Sequence, residues 1–258
     1  MNTPYIIAHR GASKYAPQNT MPAFCKANEL CADGIETDVH LTKDGQLVLC
    51  HNYTIDETSN GKGKITDYTL DELLKFDFGS YFGNGFSGVS IPTLDELFEY
   101  LKTTAMSVFN IEIKAPKDKS AEIVRLTIDS AKSHGVFDRL LISSFDYKIL
   151  SEAKNIDSAC QTAFLYPQAG QVAAKWFFPP LRFVRRFSAD ALHPHHRFVS
   201  KAIIKKAHKL GLKVNVWTVD DEKRIKKLVD MGVDGIITDC PDKIAEALEK
   251  YSLTIQTV

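Results

Sequence analysis

Three short runs, Tyr5-Ile6-Ile7-Ala8-His9-Arg10-Gly11, Gly34-Ile35-Glu36-Thr37-Asp38-Val39-His40 and Gln46-Leu47-Val48-Leu49-Cys50-His51-Asn52, share one pattern: an apolar stretch that carries or delivers polar groups. The first breaks off at His9-Arg10-Gly11, as a buried strand does when it leads into a functional turn. The second alternates with period two, so Glu36, Asp38 and His40 share one face of a strand. Two carboxylates on one face repel each other and resist burial unless a cation or a proton lies between them. The third run ends on His51-Asn52. The stretch from His9 to Asn52 is therefore the candidate active site.

Outward from it the chain alternates between strand and helix. Asn19 to Leu30 reads as a helix with Phe24 and Ala27 on its buried side, and the Lys43-Asp44-Gly45 turn joins the second and third runs. From 54 to 92 the regularity lapses into a polar, Gly-punctuated excursion, with one short helix opened by the capping box Thr69-Leu70-Asp71-Glu72. A second box, Thr93-Leu94-Asp95-Glu96, restarts the pattern. Strands follow at Val108 to Lys114, Leu140 to Ser143, Ala159 to Leu165, near Ser188 to Leu192, at Lys213 to Thr218 and at Gly235 to Thr238. Helices intervene at Ser120 to His134, Tyr147 to Lys154, Ser200 to Leu210 and Asp221 to Met231, and Pro241 to Tyr251 closes the series. Eight strand-then-helix units in one 258-residue chain point to a TIM (β/α)8 barrel, with 54–92 as a small insertion after the second strand and 1–258 as a single domain. A doubly wound open sheet is the structural alternative. His9, Glu36, Asp38, Glu112, Lys114, Trp217 and Asp239 all fall at or near strand ends, where a barrel builds its active face.

Composition narrows the function classes. Lys+Arg and Asp+Glu are both 32, so no global field draws in nucleic acid or an anionic membrane. No apolar run approaches the ~20 residues of a membrane span, and Met1-Asn2-Thr3-Pro4 lacks the features of a secretory signal. Five cysteines without a C-x-x-C pair suggest neither a disulfide framework nor a zinc knuckle. A cytoplasmic setting follows.

Glu36, Asp38 and Glu112 would supply an all-oxygen site that suits Mg²⁺ or Ca²⁺ and not zinc; the plainer reading pairs them with Arg10 and Lys114. His9 and His51 are the best general acid/base pair, because imidazole titrates near neutrality. Arg10 and Lys114 either bind phosphate oxygens, neutralise the carboxylates, or do both. Trp217 divides between substrate contact and barrel packing. Gly83 to Gly88 formally matches G-x-G-x-x-G, yet no buried strand precedes it, so it reads as a surface turn. His193, His195 and His196 read as a polar loop rather than a metal site. The aromatic and basic run 176–187 packs on the barrel or forms an apolar lip that contacts a lipid chain, a membrane surface or a second subunit.

The chain resembles the glycerophosphodiester phosphodiesterase family at His9-Arg10-Gly11, Ala16-Pro17-Gln18-Asn19-Thr20, Glu36-Thr37-Asp38-Val39, Thr42-Lys43-Asp44-Gly45 and Val48-Leu49-Cys50-His51. Further matches are Asn110-Ile111-Glu112-Ile113-Lys114, Val214-Asn215-Val216-Trp217-Thr218-Val219 and Asp234-Gly235-Ile236-Ile237-Thr238-Asp239, in the family's order. The resemblance implies the same barrel, an insertion that shapes the substrate site, and divalent-cation-dependent hydrolysis of glycerophosphodiesters to glycerol 3-phosphate and an alcohol. By the same resemblance one histidine takes a proton from the attacking oxygen and the other protonates the leaving alcohol, with His9 preferred as base and His51 as acid. One departure is Gln18, where the family usually carries glutamate; an amide accepts hydrogen bonds but adds no charge to a cation site. Lysophospholipase D activity and a non-catalytic barrel that binds a phosphorylated ligand are the alternatives.

Overall fold

The structure is a computed structural model and describes residues 3–114, 119–166, 181 and 184–256, with backbone only at 166 and 252–256. The strands are β1 (Tyr5–His9), β2 (Gly34–Leu41), β3 (Leu47–Leu49), β4 (Val108–Ile113), β5 (Leu140–Ser144), β6 (Gln161–Tyr166), β7 (Ala191–Pro194), β8 (Lys213–Val216) and β9 (Gly235–Thr238). Around the sheet the order is β1-β9-β8-β7-β6-β5-β4-β2-β3, and β1 also pairs with β2. That pairing closes eight parallel strands into a barrel, with β3 added antiparallel to β2. The open-sheet alternative is thereby excluded.

The pleat explains the closure. Outward residues such as Ala8, Ile35, Phe109, Ile111, Ile142, Leu192, Val214 and Ile236 join one apolar core. Against them pack α1 (Met21–Glu29), α3 (Leu94–Leu101), α4 (Ser120–Ser133), α5 (Tyr147–Ile156), α6 (Lys201–Lys209), α7 (Glu222–Met231) and α8 (Pro241–Gln256), whose inner stripes recur at helical spacing. Residues of opposite parity point inside, where Leu141, Ala163 and Ala191 form a separate small cluster. Gly34 lets β2 approach β4: a Cβ there would lie 2.2 Å from the Val108 carbonyl oxygen.

Between β3 and α3, residues 54–92 fold around their own core of Val48, Cys50, Ile55, Ile65, Leu73, Phe78 and Ile91. They include the four-residue helix α2 (Leu70–Leu73). Both expected capping boxes form, at Thr69 and at Thr93. The G-x-G-x-x-G stretch contains a single 3₁₀ turn at Asn84–Phe86, and Asp77 ties its surroundings by accepting from the backbone N–H groups of Gly79, Ser80 and Gly88.

Of the boundaries that differ from the sequence reading, three have a local cause in the structure. Helix α1 starts at Met21, because Pro22 suits the first turn and Asn19 takes a left-handed φ of 55° that no helix accommodates. β6 starts at Gln161, since Asp157 holds Ala159 and Cys160 in a turn. β7 runs from Ala191 to Pro194 instead of from Ser188, where φ is 53°. That shift takes His193 out of the expected loop and into a strand, fully buried. Of the run 176–187, residues 176–180, 182 and 183 lie outside the described residues; Val184 and Phe187 pack in the main core.

Candidate active site

β1, β2 and β4 bring the sequence-predicted residues together at the C-terminal mouth of the barrel. Parallel register sets Glu36 beside His9 and Asp38 beside Glu112. One carboxylate oxygen from each of Glu36, Asp38 and Glu112 lies within 4.8 Å of the others. Lys114 Nζ sits 2.6 Å from Glu112 Oε1 and 3.2 Å from Asp38 Oδ1, and Arg10 Nε is 3.6 Å from Asp38 Oδ2. Arg10 has a φ of 57°, and its backbone N–H donates to Glu36 Oε2 at 3.0 Å. His51 arrives from the other side: Cys50 N–H donates to the Asp38 carbonyl, which fixes the strand exit against the site.

The electrostatics are unequal across the three acids. Burial pushes the Glu36 and Glu112 carboxyls up, and the Asp38 charge adds to both. Burial would raise Asp38 as well, but Lys114 and Arg10 outweigh it and hold its carboxyl below the usual range. Asp38 Oδ1 is buried and, apart from that ion pair, has no aligned hydrogen-bond donor. Three converging carboxylates, two of them resisting ionisation, fit a hard cation on all-oxygen ligands. His40, on the same strand face, stays outside this set: burial lowers it to about 4, and its ring packs edge-on against Tyr53.

The two imidazoles have different supports. His9 Nδ1 is 2.6 Å from Asp239 Oδ1, and its Nε2 is 3.9 Å from Glu36 Oε2. Burial lowers the His9 ring, yet the Asp239 hydrogen bond and the Glu36 charge more than reverse this, so it is raised. His51 Nδ1 faces the amide oxygen of Asn52 at 2.7 Å. Burial, with Arg10 and Lys114 nearby, leaves the His51 ring lowered.

A model of the glycerophosphoryl diester phosphodiesterase family matches residues 9–243. The chain belongs to that family. A glycerophosphodiester phosphodiesterase of Caldanaerobacter subterraneus subsp. tengcongensis is 40% identical over 245 residues, covering 95% of this chain and 98% of that protein. One from Bacillus altitudinis is 32% identical over 247 residues, with 95% and 98% covered. Among solved structures, an Oleispira antarctica phosphodiesterase in complex with the product sn-glycerol-3-phosphate superposes with a TM-score of 0.86 at 30% identity, covering 95% of this chain and 97% of that one.

Within this family member, several residues at the mouth make contacts that were not foreseen from sequence. Buried Asn19 donates from Nδ2 to Asp38 Oδ2 at 2.9 Å and accepts from Thr37 Oγ1, so it fixes the central acid. The available signal was Pro22, which argues against helix before Met21. Gln18 Oε1 accepts from Arg10 Nη1, and Gln18 N–H donates to the Tyr81 hydroxyl. The excursion therefore reaches the site. Asp239, recognised only as a strand-end residue, is the partner of His9.

Trp217 stands further round the rim. Its indole N–H donates to the His193 carbonyl at 2.7 Å, and its ring packs edge-on against Phe145 and His195. Phe145, with Tyr53, Lys64, Glu112, Lys114 and Lys148, lines a cavity of about 750 Å³ that opens beside the acids. His195 and His196 pack against each other with their rings tilted by 35°, and His196 Nδ1 donates to the Thr218 carbonyl. Among the described residues, the one group of His, Cys, Asp and Glu close enough to hold a metal ion is Glu36, Asp38 and Glu112. No described helix is long and apolar enough to cross a membrane.

Proposed function

We propose that this chain hydrolyses glycerophosphodiesters to sn-glycerol 3-phosphate and a free alcohol, with a divalent cation, Mg²⁺ or Ca²⁺, on Glu36, Asp38 and Glu112. The observation that carries the reading is the convergence of these acids with two imidazoles and two fixed cationic side chains in one barrel mouth. The product held by the Oleispira relative supports the choice of substrate. When bound, the cation would act as Lewis acid on the phosphoryl oxygen and hold the diester for in-line attack.

The chain's own residues do the rest. Arg10 and Lys114 present N–H donors to non-bridging oxygens, where negative charge grows as phosphorus becomes five-coordinate. The carboxylate behind His9 stabilises its imidazolium form, so His9 carries the proton that goes to the departing alcohol. A cation on the acids would neutralise Glu36 but leave this Asp239 contact intact. His51, backed by an amide and lowered, is the neutral ring that takes the proton from the attacking hydroxyl, whether water or the substrate's own glycerol hydroxyl. This order reverses the sequence-based preference for His9 as base. Trp217 and Phe145 offer apolar surface to the substrate's carbons.

A lysophospholipase D reading draws on the exposed aromatic side chains Tyr53, Tyr81, Phe82 and Phe145. An assay for the released choline or ethanolamine, with glycerophosphocholine and glycerophosphoethanolamine run beside lysophosphatidylcholine, separates the readings. Release from the deacylated diesters is expected. Turnover confined to the lysolipid would favour the second reading, and turnover of neither would favour a binding-only barrel.

A further inference from the structure

His51 is held through two residues that lie outside the acid cluster. Its Nδ1 is 2.7 Å from Asn52 Oδ1, and Asn52 Nδ2 donates to Glu57 Oε2, also at 2.7 Å. A carboxylate has acceptors only, so Glu57 obliges Asn52 to turn its NH₂ outward and its carbonyl oxygen toward the ring. An amide oxygen also only accepts. The hydrogen of the neutral imidazole must therefore sit on Nδ1, and the lone pair on Nε2.

Glu57 is exposed, but its backbone is anchored on both sides. Ile55 is fully buried in the excursion's core, and its N–H donates to the Gly63 carbonyl. Thr58 is buried next to it, with its hydroxyl 3.9 Å from Cys50 Sγ, one residue before His51. Asp56 accepts from Gly63 N–H at 2.7 Å. The turn that carries Glu57 is thus fastened to the strand exit that carries the histidine.

We propose that Asn52 and Glu57 are positioning residues that set the tautomer of His51 as Nδ1–H and so present Nε2 as the proton acceptor. The inference rests on the acid/base role given to His51 above. It also gives residues 54–92 a function beyond the Tyr81 contact with Gln18: they supply the end of the chain of hydrogen bonds that prepares one reactive nitrogen. His9 obtains the same tautomer from Asp239 directly, so the two rings differ in having a carboxylate or an amide as neighbour.

The test uses the full chain, with ¹⁵N NMR of the His51 ring and steady-state kinetics on glycerophosphocholine. Neutral His51 should be Nδ1–H in the wild type and shift toward Nε2–H in Asn52→Ala and in Glu57→Lys, whose ammonium only donates and would draw the Asn52 carbonyl oxygen away from the ring. The kcat of both variants should fall about tenfold, the scale of a lost orienting partner, while KM stays within about twofold. Asn52→Asp alone still offers the ring an acceptor and should keep the Nδ1–H tautomer. The double variant Asn52→Asp/Glu57→Lys gives ring and ammonium a shared acceptor and should recover the tautomer and kcat that Glu57→Lys loses, which a merely structural role would not produce. If His51→Ala is inactive while Asn52→Ala and Glu57→Lys keep the wild-type tautomer and kcat, the relay is overturned and the role of His51 stands. If His51→Ala turns over at the wild-type rate, the acid/base reading falls and the relay falls with it.

Discussion

The partner on Nδ1 distinguishes the two imidazoles at the scale of single residues. With His9 raised and His51 lowered, the proposed roles have the first hold a proton and the second lose one before turnover. As pH rises, activity should increase while His51 deprotonates, below the ordinary imidazole value of about 6.5, and decrease when His9 deprotonates, above it. Asp239→Asn removes the carboxylate that favours the imidazolium, so its alkaline limb should move down in pH while the acid limb stays. His9→Ala should cost about 10²-fold or more in kcat. An alkaline limb unmoved in Asp239→Asn would remove His9 as the proton donor. Glu36, Asp38, Glu112, His9 and His51 could be singled out in the sequence because each stands at the end of, or in alternation along, an apolar run. Asn19 could not be placed in the same way. Its contribution depends on a left-handed backbone, and nothing in the periodicity distinguishes that from the first turn of a helix.

Among the elements, β7 shows how a small boundary error changes a residue's chemistry. Read as a strand near Ser188 to Leu192, it leaves His193 in a polar loop; the true strand, Ala191–Pro194, buries it in the barrel. There Nε2 accepts from Asn215 Nδ2 at 2.9 Å, and burial lowers the ring to about 3. Above the unfolded-state value of about 6.5, neither state protonates the ring. Below it the unfolded chain takes up a proton that the folded chain refuses, so the stability due to neutral His193 is lost as pH falls toward 3. The slope is about 1.4 kcal/mol per pH unit. Urea unfolding of the wild type and of His193→Asn should therefore give stability curves that converge by roughly this slope as pH falls from about 6.5, whereas a constant difference would contradict the buried neutral ring. The pair of capping boxes and the β2 alternation were legible because their signals are local. The starts of β6 and β7 were not, because a turn at Asp157 and a left-handed Ser188 set them.

For the molecule as a whole, closure of eight strands is what makes residues from 9 to 239 neighbours. The alternation of apolar strands and amphipathic helices carried that architecture in the sequence. The excursion at 54–92 was visible as a lapse in periodicity with one capping box, and as an insertion implied by the family resemblance. Its contact with the site, through Tyr81 on Gln18 and Glu57 on Asn52, depends on tertiary placement that no spacing encodes. The central claim is that Glu36, Asp38 and Glu112 hold a divalent cation that the reaction requires. Its most direct test is the rate of glycerol 3-phosphate release from glycerophosphocholine by chelator-treated protein, before and after Mg²⁺ or Ca²⁺ is restored. Loss of turnover on chelation and recovery with either ion is the result expected; a rate unchanged by chelation would contradict the account.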